Sequence, residues 1–222
     1  MDAITGGNGS LCITSSQVDH GSLDSYRYFL ARRTVFEMLK DRDYDVHDRE
    51  ITCTFPEFRS VFGNNPNRES LRICVSHRAS PTNKVLVIFC GTDEIRKKNI
   101  LEILGQLMNK GSLNRLILIL QSKMNHFARK ELERQSFKYE IFQITDLLAN
   151  ITKHILQPKF HILSAEEKQV LLRKYNLEDK KLPHMQESDE MARYYGLEKG
   201  QVVKVTFSGG YVGAFETFRC VV

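Results

Sequence analysis

At 222 residues the chain is long for one domain and short for three, so two compact units are expected. Hydrophobic residues make up 41% and charged residues 27%, a balance that excludes wholesale disorder. The net charge of +5 is spread over both halves, which argues against a protein that holds DNA unaided but leaves a secondary contact with a phosphate backbone open.

No apolar run nears the roughly 20 residues of a bilayer span, and the longest, LILIL at 116–120, is strand-sized, so no membrane partner is expected. Residues 1–22 lack the basic and apolar regions of a secretory signal; their Gly, Ser, Thr and Asn content predicts a flexible leader. Five cysteines are an odd number without a C-x-x-C pair. Cys74, Cys90 and Cys220 lie in apolar runs and are expected as reduced core thiols, which speaks against a disulfide frame or zinc site.

From Asp24 to Lys40, Tyr26, Phe29, Leu30, Phe36 and Leu39 recur at helical spacing. TFPEFRSVFG then carries a capping box, Thr54 with Glu57, and a Gly stop at Gly63. The pattern next alternates: strands at 71–77 and 84–90 joined by an ASPTN turn, a helix from Asp93 to Gly111, and a buried strand at 113–121. That helix places Ile100, Ile103, Leu104, Leu107 and Met108 on one face. HFARKELERQ forms a further helix, YEIFQ (139–143) a fourth strand, and ITDLLANI a short helix. Strand and helix alternating in this way describes an α/β layer with at least partly parallel pairing.

Pro158 interrupts the pattern and Ser164 with Glu167 opens a new helix, placing a domain boundary near residue 155. A short helix follows, expected to be capped by Ser188 and closed by Gly196; then come the strand QVVKVTF, the turn SGGYVG and the strand AFETFRCVV. The expected domains are therefore a leader (1–22), an α/β domain (23–154) and a small α+β domain (155–222).

The familiar signatures of catalysis are missing: no phosphate loop, no G-x-S-x-G and no H-E-x-x-H. SGGYVG lies between strands and reads as a hairpin turn. His154 and His161 flank a proline without ligand geometry and read as polar boundary residues. One rival is a Mg²⁺-dependent nuclease of restriction-endonuclease-like fold, which needs carboxylates on adjacent strands. Asp93 and Glu94 follow the 84–90 strand, but their expected role is to favour the start of the next helix. The 113–121 strand has no carboxylate, and the E-x-K match at Glu166 and Lys168 falls in the other domain. Neither catalytic residues nor a metal or other cofactor are expected. Lys123, Arg129, Lys130 and Arg134 are able to meet phosphates, although Glu131 and Glu133 interleave with them and favour a solvated helix face.

The stretch LPHMQESDEMARYYGLEKGQVVKV (182–205) resembles the assembly segment of the fifth subunit of eukaryotic nuclear DNA-dependent RNA polymerases, a family with an archaeal counterpart. The resemblance rests on Leu182, Pro183, Gln186, Asp189, Ala192, Arg193, Tyr194, Gly196, Leu197, Lys199, Gly200, Val202, Val203 and Lys204 in order. It extends through HILQP and EEKQVLLRKYNL, and more loosely through LARRTVFEMLKDRDY, FPEFRSVFG and LILILQSKMNHFARK.

This resemblance implies a non-catalytic nuclear subunit with an N-terminal α/β jaw of nuclease-like topology and a C-terminal assembly domain. The assembly domain is expected on the largest subunit, near the sixth, with the matched residues other than Lys199 forming a preorganised interface. Asp189 and Arg193, at i and i+4, are expected to support each other. The jaw is expected beside downstream duplex DNA, with Lys123, Asn125, His126, Arg129 and Lys130 as the contact residues. His184, Glu190, the Gly-Gly-Tyr run at 209–211, and His126 with Phe127 depart from the family pattern. Those departures look most like the variant fifth subunit of plant RNA polymerase V, which serves noncoding transcription for RNA-directed DNA methylation and gene silencing. A transcription adaptor free of the polymerase is the second rival.

Overall fold

The computed structural model describes residues 23–107, 113–178, 181–209 and 213–222. The expected leader, and Met108 and Gly111 of the expected central helix, lie outside the described residues. Two compact units divide the chain: residues up to Thr34 with His47–Leu148, and Val35–Val46 with Ala149–Val222. In this division the second unit takes up the chain again at Ala149, and a stretch of the N-terminal region is counted with it. Helix α1 (Leu23–Asp41) supplies residues to both.

In the first unit, α2 (Asp48–Thr52) precedes α3 (Phe55–Phe62). The Glu57 carboxylate accepts from both the Thr54 N–H and the Thr54 hydroxyl, each at 2.7 Å, and Gly63 ends α3 at φ 75°, where a Cβ would be strained. The Ser25 hydroxyl donates to the Gly63 carbonyl at 3.0 Å, and Phe55 and Phe58 pack on Phe29 with ring centroids 5.5 and 5.7 Å away.

The first sheet has the order β1 (Ile73–His77), β2 (Ser80–Phe89), β3 (Leu113–Leu120), β4 (Lys138–Gln143). β1 is antiparallel to β2, and β2, β3 and β4 are mutually parallel. Helices α4 (Lys97–Leu107) and α5 (His126–Glu133) form the crossovers. One sheet face buries Ile88, Leu116, Leu118 and Leu120 against Ile100 and Leu104 of α4 and Ala128 and Leu132 of α5. Each such Leu or Ile contributes about 1.5–3 kcal/mol by leaving water. Val85, Val87, Phe89, Ile117 and Ile119 alternate onto the other face and are buried too, which explains the unbroken apolar runs.

Three local expectations change. The hairpin turns at Arg78–Ala79, where the Ala79 N–H donates to His77 Nδ1 at 3.2 Å, so Ser80–Asn83 join β2 in place of forming the turn. The central helix starts at Lys97 and not Asp93, because Ile95 is drawn into a parallel bridge with Met124. Cys74 is exposed: β1 is an edge strand whose residues alternate, and Ile73 takes the inward place. Cys90 and Cys220 are buried as expected, and none of the four described cysteines is in a disulfide. Burial pushes the Cys90 thiol up to about 11.

The C-terminal part of the second unit has a single-turn 3₁₀ helix at Ile151–Lys153 and then a four-stranded sheet. Its order is β5 (Lys159–Ile162), β7 (Val202–Gly209), β8 (Gly213–Val221), β6 (His184–Met185), antiparallel except for the parallel β6–β8 pair. Helix α6 (Ala165–Tyr175) starts at the predicted capping box, where the Ser164 N–H donates to Glu167 at 2.8 Å and the Glu167 N–H donates to Ser164 Oγ at 3.2 Å. Leu171 of α6, Leu182, Val202 and Cys220 form one cluster. Met191 and Ala192 of α7 (Glu190–Tyr195) meet Met185, Val203, Val205 and Val221 in another. Adjacent strand residues such as Val202 and Val203 point to opposite faces, so the sheet is covered on both sides.

Candidate functional site

Residues 182–205 form the heart of the second unit. The Pro183 carbonyl accepts from the Cys220 N–H at 2.8 Å and the Met185 carbonyl from the Val222 N–H at 2.9 Å, which seats β6 along the end of β8. The N-cap of α7 is Asp189, whose Oδ1 accepts from the Met191 N–H at 2.9 Å. Ser188, expected in that role, instead donates its hydroxyl to Gln186 Oε1 at 3.1 Å. Glu190 then places a carboxylate in the first turn, where the helix dipole favours it. Arg193 returns to Asp189 through its backbone, its N–H donating to the Asp189 carbonyl at 2.8 Å.

Gly196, at φ 62°, ends α7 with its N–H on the Ala192 and Arg193 carbonyls. Gly200, at φ 84°, redirects the chain, its N–H donating to the Val221 carbonyl and its own carbonyl accepting from Lys168 Nζ, both at 2.9 Å. The glycines thus do the turning that their spacing predicts.

The matched residues divide by environment. Leu182, Ala192, Tyr194, Leu197, Val202 and Val203 are buried within the unit. Pro183, Gln186 and Gly200 are exposed, and Asp189, Arg193, Gly196 and Lys204 are intermediate. The pattern that is densest in matches therefore builds the domain first.

Sequence reasoning did not find what holds α7 from behind. Arg42 donates from Nε to the Tyr194 carbonyl at 2.8 Å and from Nη2 to the Arg193 carbonyl at 2.6 Å. Both acceptors belong to the last turn, whose carbonyls carry the negative end of the dipole. The Tyr194 hydroxyl donates to Asp41 Oδ2 at 2.8 Å and accepts from Asn150 Nδ2 at 3.1 Å. Asn150 also donates to Glu37 Oε2 at 2.8 Å, and Lys153 pairs with Glu37 Oε1 at 2.5 Å. Burial, reinforced by the Asp41 carboxylate, pushes the Tyr194 phenol well above its ordinary value.

In the first unit, the loop before α5 is pinned by its bridge to Ile95: the Ile95 N–H donates to the Lys123 carbonyl at 3.2 Å, and the Asn125 N–H to the Ile95 carbonyl at 3.0 Å. Asn125 Oδ1 then caps α5 by accepting from the Phe127 N–H at 3.0 Å. Lys123, His126, Arg129 and Lys130 are exposed, and Phe127 is 65% exposed beside His126. Glu131, expected to screen them, turns inward and is held by Lys97 at 2.9 Å and Arg134 at 2.6 Å. Those two cations, the Lys97 hydrogen bond foremost, draw its carboxyl below the ordinary range. Lys123, Arg129 and Lys130 form no ion pair among the described residues, so the cationic face keeps more of its charge than the alternating sequence suggests.

The groups of the nuclease reading have local partners. Glu94 pairs with Arg96 at 3.2 Å, and the Asp93 carbonyl accepts from the Ser122 hydroxyl at 2.5 Å. Lys168 of the E-x-K match is committed to Gly200. Among the described residues, no three His, Cys, Asp or Glu side chains gather in a metal-holding arrangement. His154 accepts from the Leu156 N–H at 3.3 Å and His161 meets Glu167 at 3.4 Å, both as local polar contacts.

Comparison with known proteins covers both units. Residues 22–107 match the family model described as RNA polymerase Rpb5, N-terminal domain, and residues 149–221 match RNA polymerase Rpb5, C-terminal domain. The chain is similar to the DNA-directed RNA polymerase V subunit 5C of Arabidopsis thaliana, at 53% identity over 97% of this chain and 92% of the relative. It is 45% identical to subunit 5A of the same polymerase and organism, over 95% of each chain. The RPABC1 subunit of DNA-directed RNA polymerases I, II and III from Caenorhabditis briggsae is 36% identical over 90% of this chain and 98% of its own.

Proposed function

This chain belongs to the RNA polymerase Rpb5 family, and on that premise we propose that it is a fifth subunit of a nuclear DNA-dependent RNA polymerase that makes and breaks no bond itself. The observation that carries this reading is similarity over nearly the whole chain, spanning both units. Identity to the two RNA polymerase V subunits, 53% and 45%, exceeds the 36% to a subunit shared by polymerases I, II and III. The polymerase served is therefore plant RNA polymerase V, and the role is noncoding transcription for RNA-directed DNA methylation.

Within that assembly the second unit anchors the chain to the largest subunit, close to the sixth. The preformed turns at Gly196 and Gly200 support this, since a surface already rigid loses little entropy on docking. The first unit acts as a jaw of nuclease-like topology beside downstream duplex, with Lys123, Asn125, His126, Arg129 and Lys130 toward the phosphates. The parallel β2–β3–β4 core and the unscreened cations before and on α5 support that placement.

Arg193→Glu tests the anchor. The variant is expected to fold, by circular dichroism and denaturant melt, yet to lose co-purification with the largest subunit. A folded variant that still co-purifies contradicts the proposed docking face.

A further inference from the structure

The first unit contains a cavity of about 410 Å³ at the C-terminal end of β2, between the 67–72 segment and α4. Crevices at the carboxyl ends of parallel strands are where α/β sheets bind ligands. Two guanidinium groups line it, those of Arg68 and Arg72. Arg68 lies directly over Gly91, where a Cβ would collide with its Nη1, so the glycine is what lets the guanidinium rest on the cavity floor. The Arg68 guanidinium makes no hydrogen bond or ion pair among the described residues. Arg72 is 27% exposed in its side chain, and its Nε is buried without a hydrogen-bond partner among the described residues. Its nearest carboxylate, Glu69, stands at 3.8 Å, beyond hydrogen-bond reach.

The mouth has the opposite sign. Glu69, Asp93, Glu94 and Glu102 surround it, and Glu94 and Glu102 already have cations in Arg96 and Lys98. A polyanion such as nucleic acid is repelled by that rim, whereas one carboxylate on a neutral or basic backbone is not. Ile95 and Ile103 add an apolar wall, and the volume suits a few residues of polypeptide.

We propose that this cavity binds a partner polypeptide through a single Asp or Glu carboxylate seated on the Arg68 and Arg72 guanidiniums, with apolar or basic residues flanking it. The acceptor forms charge-assisted bonds with the planar donor forks of the two guanidiniums. The site is independent of how the second unit docks.

The test is a titration of the full ¹⁵N-labelled chain, followed at the Arg72 Nε–Hε and Gly91 amide resonances. The probes are the acetylated and amidated peptide Lys-Glu-Leu, its Lys-Gln-Leu counterpart, and inorganic phosphate. Saturable shifts with the Glu peptide, at least tenfold weaker affinity for the Gln peptide, and a similar loss in Arg68→Gln support the proposal. Gly91→Ala retains both charges but displaces Arg68, and is expected to weaken binding in a chain with an unchanged melt. Equal response to Glu and Gln peptides, silence at both resonances, or tighter binding of phosphate than of the Glu peptide overturns it.

Discussion

Arg42 hydrogen-bonds the Tyr194 carbonyl through Nε at 2.8 Å, across a sequence separation of 152 residues. With its second bond to the Arg193 carbonyl, one cation closes the end of α7 from the N-terminal part of the chain. Arg42→Met is expected to cost the folded chain about 1.5–3 kcal/mol, the range for hydrogen bonds to charged groups. Arg42→Lys restores the charge without the fork and recovers only part. Urea denaturation of the full chain measures both, and a Met variant as stable as the wild type contradicts the capping role.

Tyr194 gives a second, pH-dependent prediction. Its phenol pKa is raised in the folded state by burial and by the Asp41 carboxylate. The associated stability is fully present below the unfolded value of about 10 and is lost as pH rises toward the folded value. Stability therefore falls on the alkaline side, and Tyr194→Phe removes that part of the dependence while costing about 1 kcal/mol near neutrality through the lost hydroxyl bonds. Denaturant melts between neutral and strongly alkaline pH check the two claims together.

Acid acts through helix starts. The carboxyls of Glu57 and Glu167 are held below their ordinary range, chiefly by the backbone N–H groups of Thr54 and Ser164. Their contribution is present above the unfolded carboxyl pKa of about 4.3 and is lost as pH falls through the lower folded values. Glu57→Gln and Glu167→Gln are expected to flatten the stability profile in that window, and unaltered profiles argue against both capping boxes.

Those two boxes were legible in the sequence because a capping box lies within four residues. The β2–β3–β4 core was legible for a related reason, since a strand buried on both faces writes a continuous apolar run. What escaped depended on partners distant in sequence. Ser188 and Asp189 are both competent caps, and the choice follows from Ser188 being engaged by Gln186. Asp93 looked like a helix start until the Ile95–Met124 bridge claimed the intervening chain. Nothing local in Lys-Asp-Arg-Asp tells that Asp41 and Arg42 serve Tyr194. The residues matched over 182–204 read as one interface in the sequence, whereas burial places Leu182, Ala192, Tyr194, Leu197, Val202 and Val203 inside the unit.

The cationic face around α5 yields a prediction in salt. Replacing Lys123, Arg129 and Lys130 by Gln in the assembled polymerase is expected to weaken engagement of downstream duplex. The slope of log affinity against log salt falls by about 0.9 for each phosphate no longer neutralised. An unchanged slope removes these residues from the DNA path.

The central claim, membership of a polymerase, is tested most directly by size-exclusion of native nuclear extract followed by identification of what elutes with this chain. The account predicts that it travels in a large complex together with the largest subunit of RNA polymerase V. Elution only as the free 25.7 kDa chain, with no polymerase subunit alongside, would contradict it.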